Sequence, residues 1–584
     1  MAVSATECAL YFCVNTLESV VENGVLHERV VASWHQRDMK SYLFSGDPKD
    51  TNSGFSSYEA WNNHSLYPSH SRDVVREDLV VEIDDEAGRQ HEPGHPFKLT
   101  QNTIVTTTIN GASIRGWTNW ANSSAVNKTT CNGIDYRPEE LAGYGYVVAD
   151  AVDKFDDTLG GLGSSIHVDL AAWKKLDNGS YTGVLWSMPD RGWNTQGTLN
   201  FNPRVHNYID TILFSGPDGT PCTGLDADAS ESLPFSGFPD LPITTYTGDG
   251  FGGDGPGGTR IPIDAEGFWV NEDSTFWVSD EYGSYIYHFG TDGKMLGAIR
   301  PNDAIVPMRR GKTSFSADST PIYAEGEYDD VDPVHPDSGR ENNECFEGIT
   351  VSKDGKSLWV LLQTATVQDG GLIVQTSRYV HFLKYDVKPT RAHLCWGVGC
   401  ALPLYGNPEA TNLTNPKVAA QSEIFALENG QFLVLSRNSG AGCGGDSALS
   451  VYRQIDIFDI SDATHVKAKG NYDCTACNVA SRSGELKEIT PATYCSSLDF
   501  NVNAQLNRFG LHDGGDQDEF LLESIGVVPV EPSVPNGELY VFSLGDNDLI
   551  TQKGYMNGGK YPYADDSGNT LHSQALVFKI SISS

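Results

Sequence analysis

Glu266, Glu347, Glu423 and Glu523 each open a short apolar strand, and in three of these copies a charged group closes the strand that follows: Asp280-Glu281, Arg437 and Asp546-Asn547-Asp548. An earlier copy ends its second strand at Asp190-Arg191. In an antiparallel hairpin the start of one strand and the end of the next are neighbours at one sheet edge. If every hairpin presents that edge to a common centre, these groups converge. Several carboxylates with few bases are costly to hold ionised together, and a divalent cation or an arginine relieves the repulsion. Carboxylate oxygens are the hard ligands calcium prefers, and paired acids can serve general acid–base catalysis. The pattern therefore nominates Glu266, Asp280, Glu281, Glu347 and Asp190 for catalysis, and Glu266, Asp280, Glu347, Glu423, Asp546 and Asp548 for a metal, with calcium the ion expected. Arg191 offers a bidentate fork for an anionic substrate group, and Arg204 and His206, in FNPRVHN, follow closely enough to join it. The competing reading is structural: each Glu caps backbone N–H groups or pairs with one arginine, and Asp190 with Arg191 braces a strand end.

The elements that would position these residues are legible around Glu266. Apolar runs at Phe268–Val270, Phe276–Val278, Tyr285–Phe289 and Met295–Ile299, separated by polar turns, read as four strands in about 35 residues, the size of one propeller blade. Partial copies follow, with Lys-Asp-Gly-Lys, Asn429-Gly430 and Pro535-Asn536-Gly537 marking hairpin turns. The repeated glutamates (266, 347, 423, 523) are spaced by 81, 76 and 100 residues, longer than a bare blade. Insertions, with one further copy hidden among them, predict an all-β propeller of about six to seven blades over residues 140–584. Ala575–Ser581 is expected to pair with the first strands and close the ring, removing the exposed edges of an open sheet. A β-sandwich array is the alternative, but it offers no reason for the repeated Glu. Residues 1–135 read as an appended mixed α/β region, helical-looking at Leu17–Ser33.

Composition limits the partners. The net charge of −37 lacks the basic face that nucleic acid or anionic lipid requires. No apolar run reaches membrane-span length. Five N-x-S/T sites (Asn63, Asn122, Asn127, Asn178, Asn412) and eleven cysteines, with close spacings at Cys8/Cys13, Cys395/Cys400 and Cys474/Cys477, point to a secreted, glycosylated, disulfide-bonded monomer. Cys474-x-x-Cys477 lacks the second half of a zinc site. The N-terminus shows no signal-peptide pattern, which we read as a truncated or misassigned start. The glycine-rich Gly248–Arg260 matches neither a P-loop nor an EF-hand, and G-x-S-x-G does not occur.

Two resemblances follow from these motifs. DTLGGLGSSIHVD, PDRGWNT, IPIDAEGFWV with VSDEYGSYIYHF and DGKMLGAIRP, ECFEGITVSKDGKSLWVLLQ and SEIFALENGQFLVLSR together resemble the phytase-like (esterase-like phytase) domain family in its secreted fungal form, over about residues 143–584. That resemblance implies a β-propeller and hydrolysis of a phosphoester or carboxylic ester, on a small-molecule or carbohydrate-linked substrate. Similarity to β-propeller phytases would imply calcium held by Glu266, Asp280, Glu281 and Glu347, and phosphate held by Arg191, Arg300 and Arg437. The acidic balance argues against phytate itself as the substrate. Glu7–Trp34 resembles the extracellular part of fungal multi-pass membrane proteins and carries no chemistry. The functional alternative is a non-catalytic propeller that stacks sugars or a protein on Trp186, Trp193, Trp269 and Tyr282.

Overall fold

A computed structural model describes residues 128–177, 181–190, 203–207, 263–314, 333–388, 391–405, 416–438, 452–466, 472–509, 511, 521–534, 537–556 and 558–583, with short strands at Glu18–Glu22, Val25–Arg29, Ser33–Trp34, Tyr42–Leu43, Leu79–Val80, Thr211–Leu213, Leu233–Pro234 and Thr245–Tyr246. The five sequons, Arg191, Trp193, Cys8, Cys13 and Gly248–Arg260 lie outside the described residues.

Alternating apolar residues and tight turns produce successive four-stranded antiparallel sheets. Blade 1 holds Ser165–Val168, Leu185–Met188, Arg204–His206 and Thr211–Leu213. Blade 2 holds Ala265–Val270, Phe276–Asp280, Ile286–Phe289 and Met295–Ile299, the four strands expected around Glu266. Blade 3 runs through Phe346–Val351, Ser357–Leu362, Tyr379–Lys388 and Arg391–Ala401, and blade 4 through Ala420–Ala426, Phe432–Arg437, Arg453–Asp459 and Thr493–Asp499. Blade 5 is assembled from both ends of the chain. Gly526–Pro529 pairs with Glu538–Asp546, which pairs with Ser573–Ser583, whose other edge is covered by Ile134–Val147. The pairing of Ser573–Ser583 with this early strand closes the ring as the sequence suggested.

The described residues therefore form five blades, not six to seven. The long spacings contain no hidden blade where they are described. They are filled by connectors such as residues 300–314 and 333–345, and by unusually long outer strands such as Arg391–Ala401. Among the described residues helix is confined to Asn503–Leu506 and short 3-10 turns, and none is long and apolar enough to cross a membrane. Leu17–Ser33, read as helical, instead holds the antiparallel pair Glu18–Glu22 and Val25–Arg29. The β-branched Val20, Val21 and Val25 and the intervening Asn23-Gly24 step favour that pairing.

The core lies between blades, so each sheet is buried on both faces. Phe268, Phe276 and Tyr287 of blade 2 pack on Met188 and Val205 of blade 1. Leu433 and Ile457 of blade 4 pack on Val541 and Phe578 of blade 5. At ~25 cal/mol per Å² of apolar surface removed from water, these seams are the main stabilising term. The inner strands approach one another very closely. A Cβ on Gly267 would stand 2.1 Å from the Glu347 carbonyl oxygen, and one on Gly348 would stand 2.6 Å from the Ile424 nitrogen. That contact, not turn geometry, is why glycine follows glutamate in both copies.

Cys131 is bonded to Cys495, tying the segment before the closing strand to the outer strand of blade 4. Cys474 is bonded to Cys477. Cys395 and Cys400 are not bonded to each other. They lie on one strand, and five residues of extended chain separate two Cα atoms by about 16 Å, far beyond disulfide reach.

Candidate functional site

The repeated glutamates sit at irregularities of the inner strands. Pairing shifts register between Ala265 and Phe268, between Phe346 and Ile349, and between Gln421 and Glu423. A bulge there re-aims the side chain away from the ordinary alternation. Glu266, Glu347 and Glu423 are all buried at the ring's inner edge.

Their fates differ. Glu423 is a tie across the ring. Its Oε1 accepts the backbone N–H of Ile349 in blade 3 (3.1 Å) and of Ile424 (2.9 Å), and its Oε2 accepts the Ser165 hydroxyl of blade 1. Ser165 Oγ in turn accepts the Phe268 N–H of blade 2 at 3.1 Å. One carboxyl thus joins four blades. Asp280 braces its own turn, accepting N–H groups from Asp264 (3.0 Å), Tyr282 (3.0 Å) and Gly283 (2.8 Å). Glu281 accepts the Cys345 N–H at 3.4 Å. Glu523 pairs with Arg437, whose Nε donates to Ser422 Oγ at 3.1 Å.

The remaining acids gather. Oxygens of Asp190, Asp264 and Glu266 lie within 4.8 Å of one another, as do oxygens of Asp190, Asp546 and Asp548. Asp190 comes from the end of the second strand of blade 1, Asp264 and Glu266 from the start of blade 2, and Asp546 and Asp548 from blade 5. Asp546 also accepts the Ser164 hydroxyl at 3.0 Å and the Asp548 N–H at 2.6 Å. Glu347 accepts an amide hydrogen of Gln363 on one oxygen, while its Oε2 is buried with no hydrogen-bond partner.

The electrostatics follow from that crowding. Burial, then the charges of Glu347, Asp264, Glu281 and Asp190, push the Glu266 carboxyl well above its usual range. Burial raises Glu347 to about 8, opposed first by the Arg437 guanidinium and reinforced by Asp264 and Asp546. Burial and Asp548 raise Asp546 to about 7. Burial raises Asp280 to about 7 despite its three N–H donors. Unfolded, the same groups titrate near 3.8 to 4.5. Between those values and about 8 the folded chain binds more protons than the unfolded chain, so stability falls as pH rises through that window. In chelator, the melting temperature should drop steadily from pH 4.5 to pH 8, and excess calcium should flatten the profile. A melting temperature that climbs over this range in chelator would show that the cluster is not under this strain.

The expected arginines do not all reach this centre. Arg204 is buried between Asp153 (2.5 Å) and Asp157 (2.9 Å), beside a small cavity also lined by His206 and Tyr563. Burial and the neighbouring Arg204 and Lys154 hold the His206 imidazole well below its usual range. Arg300 follows the outer strand of blade 2 and pairs with Asp303 at 2.6 Å. Arg437 stands at the inner edge. Among the aromatic residues, Tyr282 is buried, and Trp269 packs on His167 and Phe425. Asp264 was not singled out from sequence. Its signal was proximity: it stands two residues before Glu266.

A family model described as "Phytase-like: Esterase-like activity of phytase" matches residues 176–487. An "uncharacterized secreted protein" of Arthroderma benhamiae is 44% identical over 487 residues, which span 77% of this chain and 94% of that protein. Among solved structures, a luciferin-regenerating enzyme is 11% identical with a TM-score of 0.23, covering 72% of this chain and 92% of its own. A GH43 β-1,3-galactosidase is 11% identical with a TM-score of 0.25, covering 57% and 90%.

Proposed function

The chain belongs to the phytase-like family, and on that premise we propose that it is a secreted, divalent-cation-assisted hydrolase of a phosphoester or carboxylic ester. The observation that carries this reading is the buried group formed by Asp190, Asp264, Glu266, Asp546 and Asp548, with Glu347 electrostatically linked to it. The donors are all carboxylate oxygens, the set that suits calcium or another hard cation. A bound cation would polarise the ester or phosphoryl oxygen. Glu347, whose carboxyl is pushed up toward the protonated form by burial, would give its proton to the leaving oxygen. Arg437, at the same edge, would hold a substrate oxyanion. Asp280, Glu281 and Glu423 would support the site by fixing the turns and strands beneath it. Because each of these residues comes from one chain, a monomer suffices for this site, and a small-molecule substrate fits the reading.

The test is direct. The full chain, freed of metal by chelator and desalted, should release phosphate or alcohol from a broad ester panel only when calcium is restored. A folded protein that turns over nothing on that panel, with or without calcium, would sink the reading and leave a binding role.

A further inference from the structure

We infer that Asn547 is a positioning residue of the proposed site and that Gly160-Gly161 is the spacer it grips. Together they set how closely Asp190 of blade 1 stands to Asp546 and Asp548 of blade 5. The inference rests on the hydrolase reading above and adds to it the residues that fix the spacing of its acids.

The stretch Gly160-Gly161-Leu162-Gly163-Ser164-Ser165 leads into the first strand of blade 1. In the fold it fills the seam between blades 1 and 5. A Cβ on Gly160 would stand 2.7 Å from Leu549 Cδ2 and 3.1 Å from Asn547 Oδ1. One on Gly161 would stand 3.1 Å from Pro189 Cβ and 3.4 Å from Asp190 Oδ1. One on Gly163 would stand 2.1 Å from the Asp546 nitrogen. Ser164 donates its hydroxyl to Asp546 at 3.0 Å. The stretch therefore lies between Pro189-Asp190 on one side and the Asp546–Leu549 turn on the other. A side chain at Gly160 or Gly161 would press the two apart.

Asn547 holds that arrangement. It is 1% exposed. Its Oδ1 accepts the Gly161 N–H at 2.8 Å and the Leu549 N–H at 3.2 Å, and its Nδ2 donates to the Leu571 carbonyl at 2.8 Å. One side-chain amide thus joins the connector into blade 1 to the turn of blade 5.

A second observation comes from the backbone. Asp548 and Leu549 both lie in the left-handed region, with φ of 47° and 55°. Residues with a bulky side chain adopt it rarely, and it persists only where the surroundings over-determine it. Here Asn547 accepts from the Leu549 N–H, Tyr563 donates its hydroxyl to the Leu549 carbonyl at 2.9 Å, and Asp546 accepts from the Asp548 N–H at 2.6 Å. A turn serving stability alone would relax with glycine at position 548. The strained pair instead brings Asp548 beside Asp190 and Asp546, whose oxygens all lie within 4.8 Å of one another. Misplacing a reacting group by about 1 Å costs on the order of 10²-fold in rate, so the spacer and its amide bear on chemistry as well as on packing.

Steady-state kinetics of the full chain, with calcium supplied and para-nitrophenyl phosphate and para-nitrophenyl acetate as first probes, test this well below the melting temperature. In Asn547→Ala and in Gly160→Ala, kcat should fall about tenfold or more while KM stays within about twofold. Adding Leu549→Ala to Gly160→Ala removes the branch that the new methyl strikes, and kcat should recover most of its loss. Gly160→Ala keeps every hydrogen bond of Asn547, so it decides the matter if Asn547→Ala fails to fold. Lower melting temperatures with wild-type kcat and KM in the folded variants would overturn the positioning role and leave the hydrolase standing. A folded wild-type chain inert on both probes and on the rest of the ester panel would remove the hydrolase reading and this inference with it.

Discussion

Glu423→Ala should destabilise the folded protein by about 3 kcal/mol or more, a large effect for one substitution. The truncation strands the N–H groups of Ile349 and Ile424 and the Ser165 hydroxyl in a place water does not reach. Each such orphan costs roughly 1–3 kcal/mol, and the vacated volume adds a cavity term. Glu423→Gln should be far milder, about 1 kcal/mol, because the amide oxygen still accepts from both N–H groups. The comparison is read from denaturant midpoints of the two variants against wild type. Equal midpoints for alanine and wild type would remove Glu423 from its bracing role and return it to the chemistry.

Asp190→Asn and Glu266→Gln should behave in the opposite way. Turnover should fall by about 10²–10³-fold or more, the scale seen when one preorganised electrostatic contact to the reacting group is removed. Metal-free stability should stay level or rise, because each change deletes a charge from a group of buried like charges. Function and stability pulling apart in this manner is characteristic of an active site held under strain. Kinetics on the best substrate and thermal melts in chelator check both halves. If the two variants lose melting temperature in chelator and keep their turnover, the acids brace the ring and do no chemistry.

These opposed expectations arise from residues that look alike in sequence. Glu266, Glu347 and Glu423 each open an inner strand, and two of them share the Glu-Gly step. The bulges at all three positions turn the carboxyls inward, but what each meets there is set by other blades. Glu423 meets backbone N–H groups and a serine, which satisfy it. Glu347 meets Gln363 with one oxygen and no hydrogen-bond donor with the other. Glu266 meets two further acids. Local pattern cannot distinguish these outcomes, since deciding partners such as Ile349 and Ser165 for Glu423 and Asp190 for Glu266 come from other blades, 74, 258 and 76 residues away.

The sequence by itself determined the all-β class, the strands around Glu266, the hairpin turns and the pairing of the last strand with an early one. Those features follow from alternation, turn residues and edge protection, all of which are local or nearly so. Tertiary structure decided the rest. It set five described blades where spacing suggested six to seven, because connectors and long outer strands occupy the chain that a hidden blade would have used. It withdrew Arg204 to Asp153 and Asp157 and Arg300 to an outer strand, while keeping Arg437 at the centre. It also brought Asp264 into the cluster and joined Asp190 to Asp546, 356 residues further along. The physical reason is closure. A strand's pattern says which side chains share a face, but only the ring decides which strand edges meet at its centre.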